Sequence, residues 1–191
     1  MMHSRTTTLL SFTALLCLLP ACGRKGADPG LALVGSTLAA GDQVVMLRLL
    51  GESAAGGIAV VVRPGGAPAE LRLYDADDHG RPRLRHTSRQ GDTFRNLAVE
   101  DVNGDGRDEV VASWTGGHLE VIEVIGRAGD GSWVTLFQNG GQEIVRRRLP
   151  DGGVEYLISS RTYEEQAGQP PSYETAIYRW DGAVFSEAPA R

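Results

Sequence analysis

The chain is poor in the side chains that carry most protein chemistry. Its two cysteines, Cys17 and Cys22, both fall within the first 22 of 191 residues. Everything after them therefore lacks a disulfide framework and thiol chemistry. The four histidines, His3, His79, His86 and His118, show no metalloprotease spacing. A Gly-x-Ser-x-Gly elbow and a phosphate-cradling glycine loop are also missing, which argues against an enzyme. Beyond the first 22 residues no apolar run approaches the ~20 residues that span a bilayer. No stretch of a dozen residues repeats its apolar positions at the helical period. Basic residues are outnumbered, 19 against 24 acidic, for a formal net charge of −5. Nucleic acid is thus a poor fit as the main partner.

What is present begins with "MMHSRTTTLLSFTALLCLLPAC". An early positive charge at Arg5 is followed by an apolar run from Leu9 to Leu19, too short to cross a membrane and of the length of a secretory signal. Residues 1–21 are expected to be that signal. The end of the run, Leu19-Pro20-Ala21-Cys22, resembles the lipobox of bacterial lipoproteins. The resemblance implies cleavage before Cys22, lipid attachment to Cys22, and anchoring in a bacterial cell envelope. Gly23, being other than Asp, points to the outer membrane. Two or three acyl chains hold a protein stably, at ~0.8 kcal/mol per buried CH₂. Without Arg5 the 19 basic residues become 18 against 24 acidic, a net charge near −6.

Residues 22–30 read as a tether and 31–191 as one all-β domain. Short alternating strands are separated by Gly, Pro and Asp turns. The strands group in fours, in repeats of about 31–90, 91–140 and 141–191. The second strands of the repeats begin at Ile58, Glu109 and Val154, spacings of about 50 and 45 residues that match a four-stranded propeller blade. Three blades are fewer than a closed ring uses. The expectation is a partial propeller, or one closed by pairing with a second copy, with a β-sandwich of the same strands as the alternative.

The most informative stretch is "DVNGDGRDEVV", Asp101 to Val111. Counting from Asp101, oxygen donors stand at positions one (Asp101), three (Asn103), five (Asp105) and nine (Glu109). Gly104 and Gly106 permit a sharp turn between them. On a tightly wound loop, alternate residues point inward and converge with the backbone carbonyl of Arg107 at position seven. Carboxylate, amide and carbonyl oxygens together suit Ca²⁺. Asp108 is expected to point outward. An EF-hand is excluded, because position twelve is Ala112 rather than Glu and the flanks read as strands. The loop resembles the calcium loop of the FG-GAP or VCBS repeat of integrin alpha propellers and bacterial exported proteins. That resemblance implies one Ca²⁺ held by Asp101, Asn103, Asp105, the Arg107 carbonyl and Glu109, between the first two strands of a blade. The sister turns keep only Glu52 and Asp151, so a single site is expected.

Other charged stretches read more plainly. "YDADDHG", Tyr74 to Gly80, is a solvated hairpin turn, since its ninth position is Arg83. "RPRLR", Arg81 to Arg85, suits a sheet edge, where charge discourages strand addition. "RRR", Arg146 to Arg148, is read the same way. Residues 163–172 form the longest insertion, a surface loop. Trp114, Trp133 and Trp180 sit at strand ends as packing anchors. The expected function is a lipid-anchored, calcium-stabilised binding or scaffold module, non-enzymatic, with an unidentified protein or glycan as partner. The alternatives are a hydrolase or its accessory subunit, and a self-associating structural protein forming a homo-oligomer.

Overall fold

A computed structural model describes residues 29–51, 56–162 and 170–189. The signal segment, Cys22, most of the tether, Glu52 and residues 163–169 of the insertion lie outside the described residues. The described residues form twelve strands, each running until a turn residue interrupts it. They are β1 (Gln43–Leu49), β2 (Ile58–Arg63), β3 (Glu70–Ala76), β4 (Pro82–Ser88), β5 (Thr93–Glu100), β6 (Glu109–Gly116), β7 (Leu119–Arg127), β8 (Trp133–Gly141), β9 (Glu143–Arg148), β10 (Val154–Arg161), β11 (Tyr173–Trp180) and β12 (Phe185–Ala188). They pair as three antiparallel sheets of four, β1 to β4, β5 to β8 and β9 to β12, every strand bonded to its sequence neighbour. This is the grouping by fours expected from the sequence. Among the described residues no strand pairing joins one sheet to another, so the three are packed side by side rather than closed by a ladder.

Burial explains the packing. In β2 five consecutive residues are buried, which requires cover on both faces. Ala59 and Val61 meet Leu97, Val110, Ala112, Trp114 and Ile125 of the second sheet. The alternate residues Ile58, Val60 and Val62 pack with Tyr74 and Val34 on the other face. The second sheet is likewise covered twice, its other face carrying Val111, Ile122, Val124 and Phe137 against Val154, Tyr156 and Ile158 of the third. Phe137 stacks on Tyr156 with ring centroids 5.3 Å apart. At Gly141 an added Cβ would stand 2.6 Å from the Ser159 carbonyl oxygen, so glycine lets β8 run flush against the third sheet.

Val34 belongs to an element the sequence reading missed. A short helix, α1 (Pro29–Val34), continues as a 3-10 turn (Gly35–Thr37) and covers the outer face of the first sheet. Six residues are under two turns and cannot display a 3.6-residue period. Residues 29 and 30, expected in the tether, belong to this helix, and Pro29 opens it where a missing N–H costs nothing.

Bulges recur at matching places in two of the three sheets. The ladder shifts between Val44 and Met46 in β1 and between Phe94 and Asn96 in β5, at matching places in the first two sheets. A second pair of shifts falls between β3 and β4 and between β7 and β8. The third sheet pairs in unbroken register throughout. Each bulge sharpens the local twist, so the third sheet is the more regular of the three.

Candidate functional site

The loop from Asp101 to Asp108 is wound by its own side chains. Asp101 accepts from the N–H of Gly104 at 2.7 Å through Oδ1 and of Gly106 at 2.9 Å through Oδ2. Asn103 Oδ1 accepts from Asp105 N–H at 2.9 Å, and Asp105 Oδ1 from Arg107 N–H at 2.8 Å. Such Asx turns explain the residue types. Gly104 and Gly106 take φ of 79° and 83°, values that bulkier residues avoid. Glu109 stands beneath the loop at the start of β6, only 2% exposed. Its Oε2 accepts from Val102 N–H at 3.0 Å and its Oε1 from Asn103 Nδ2 at 3.2 Å. Room for it comes from Gly126, where a Cβ would approach Glu109 Cγ to 3.1 Å.

Electrostatics at this point are unbalanced. Burial pushes the Glu109 carboxyl up to about 7; the Val102 N–H resists, and the negative charges of Asp105 and Asp101 raise it further. Among the described residues no Arg or Lys side chain forms an ion pair with Asp101, Asp105 or Glu109. The structure thus brings Asp101, Asn103, Asp105, Arg107 and Glu109 into one loop. It does not close them on one point: among the described residues no three acidic, His or Cys side chains are grouped closely enough to hold a metal ion. The donors fit a hard cation by type, three carboxylates with an amide and a carbonyl. Each carboxylate oxygen that accepts an N–H keeps a further lone pair.

The loop also touches all three sheets. The Val102 carbonyl accepts from Val154 N–H at 2.9 Å, and Gly104 lies against Gly153. Glu100, just before the loop, pairs with Arg146 and with Arg148 at 3.2 Å, so two arginines of the basic run tie the second sheet to the third. Asp108 points away from the loop, as expected, and its Oδ2 accepts from Gly51 N–H of the first sheet at 3.2 Å. Asp151 closes its own turn on Gly153 N–H at 3.1 Å.

No protein-family model, curated protein or solved structure matches this chain.

Two carboxylates that join the first two sheets, the half-buried Asp75 and the buried Glu123, escaped the sequence reading. Asp75, grouped there with a solvated turn, instead accepts from Arg127 at 2.6 Å, Trp133 Nε1 at 3.1 Å and Arg85 at 3.3 Å. The Arg127 guanidinium lies 4.1 Å from the Trp133 ring centre, completing a tie between the first two sheets. Parity along β3 was the available signal: Leu71, Leu73 and Asp75 share one face, and an acid on a covered face needs partners. Glu123, 1% exposed, accepts from Ser88 Oγ and from Gln90 Nε2 across the same interface. Asp77, by contrast, is the expected turn acid and accepts from the N–H groups of His79 and Arg81. The strand β4 that carries Arg83 and Arg85 lies at a sheet edge, as its charge suggested.

Grooves of about 310 Å³ beside Asp108 and Trp133, about 360 Å³ beside Asp75 and Asp130, and about 560 Å³ on the third sheet contain no histidine in their linings. Trp114 is buried at 1% exposure and Trp180 packs on Phe185, so both serve as core.

Proposed function

We propose that this chain is a non-enzymatic binding or scaffold module of a bacterial envelope, anchored through lipid on Cys22 and stabilised by one Ca²⁺. Its three sheets are read as the blades of an open, propeller-like stack. The observation that carries the cation is the charge imbalance at Glu109, a buried carboxylate facing Asp101 and Asp105 with no cationic side chain among the described residues to offset them. Asp101, Asn103, Asp105, Glu109 and the Arg107 carbonyl would hold the ion. The ion would supply the missing positive charge at a loop that bonds to Gly51 on one side and to Val154 on the other. Its role is a structural clamp, standing where other exported domains use disulfides.

Titrating Ca²⁺ into the chain from Gly23 to Arg191 in a calorimeter should reveal one site. A chain carrying both Asp101→Ala and Asp105→Ala should show none. At a hundred times the dissociation constant, Ca²⁺ should add about 2.7 kcal/mol to stability. An identical calcium response in the double variant would sink the assignment. The anchor is checked separately. Cells fed an alkyne-bearing fatty acid should label the full chain and fail to label Cys22→Ser; equal labelling would remove the lipoprotein reading.

A further inference from the structure

The two ends of the stack are finished differently. In the first and second sheets, the faces carrying Ala59 and Val61 and then Val111 are covered by the sheet that follows. The matching face of the third sheet has no sheet after it among the described residues, and its register fixes what it displays. A central row across the strands is apolar: Val145, Leu157, Ile177 and Ala188 stand side by side. Val145 is 45% exposed. On one side lies the row Arg147, Glu155, Arg179 and Ser186, and on the other Glu143, Ser159 and Thr175. Glu155 is fully covered, because Arg147 and Arg179 fold over it, the latter at 2.7 Å. A groove of about 560 Å³ runs along this side.

We infer that this face is a contact between two copies of the chain, packed sheet to sheet about a two-fold axis that runs across the strands along the apolar row. Charge selects that axis. Arg147, Glu155 and Arg179 sum to one positive charge, and the opposite row carries the single negative charge of Glu143. An axis along the apolar row lays each positive row over the other copy's negative row and sets Arg147 against Glu143. The other in-plane axis, along the strands, would stack like rows on like. The apolar rows meet in both cases, so complementary charge decides the orientation. Face-to-face sheets pack within about 30° of parallel, and the unbulged ladder of the third sheet favours such contact.

The association ends at two. The far end of the stack lies under α1, where Val34 is fully buried on Ile58 and Val60, so among the described residues no equivalent face is left for a third copy. Four strands about 4.8 Å apart and five or six residues long give a contact of roughly 20 by 20 Å. That is below the size of stable interfaces, so the dimer is weak and forms only at high protein concentration. The inference does not depend on the cation.

The test is sedimentation velocity on the chain from Gly23 to Arg191, which carries all three core clusters, from about 5 to 500 µM. The expected result is a monomer that becomes a dimer over that range. Glu143→Arg and Val145→Asp each alter an exposed residue and should leave the melting temperature unchanged while weakening dimerisation about tenfold or more. A monomer throughout the range overturns the proposal. So does a dimer that both variants leave intact.

Discussion

Stripped of divalent cations, the chain should lose stability as the pH rises from about 5 to 8, the reverse of the usual behaviour of surface carboxylates. The sign follows from Glu109. Its folded carboxyl is raised from 4.5 to about 7, so between those values the folded state binds the proton that the unfolded chain has released. Stability then falls with pH through that window and levels off above it. At about 1.36 kcal/mol per unit the loss is about 3 kcal/mol. Calcium should reverse the effect at high pH, because the cation takes over the proton's role among the three carboxylates. The calcium-induced gain in melting temperature should therefore be large at pH 8 and small at pH 5.5. Glu109→Gln provides the control: it should flatten the cation-free pH profile and abolish the calcium response. Thermal melts in chelator across this range decide the matter, and a flat profile in the parent chain would show that Glu109 carries no such strain.

The second large effect is expected at Trp114. It is 1% exposed, meets Phe94 edge-on at 5.3 Å, and sits in the cluster that joins the first two sheets. Trp114→Ala should cost about 3 to 5 kcal/mol. For a domain of this size that is a fall of roughly 6 to 20 °C in melting temperature. Trp114→Phe should cost much less, because the indole N–H is buried without a partner and its removal relieves an unsatisfied donor. Equal losses in the two variants would mean that the N–H matters, against the packing account.

Much of this architecture is legible in the residues alone. The second strands expected from Ile58, Glu109 and Val154 begin at those residues, because β6 and β10 each follow closely on a turn, "NGDG" or "PDGG", and carry valine at or next to their first residue. The acid loop could be placed between β5 and β6 for the same reason. What could not be read depends on which face of each strand is covered. Asp75 and Glu123 look like surface acids until the neighbouring sheet is set over them. The space for Glu109 is made by Gly126 on another strand, and no local pattern links the two. The bulges at Val45 and Arg95 are also silent, since a shifted ladder leaves no mark on composition. The helix α1 is too short to announce itself, yet it decides which end of the stack stays open.

The connection of every strand to its sequence neighbour bears on how the chain folds. Within each sheet the strands pair in chain order, so each hairpin closes only a short loop and loses little closure entropy. The three sheets can therefore assemble in order along the chain. The acid loop is the exception, since its Val102 carbonyl waits for Val154 N–H from the next sheet. That one bond needs the third sheet in place, whereas the turns that wind the loop are made by its own Asp101, Asn103 and Asp105.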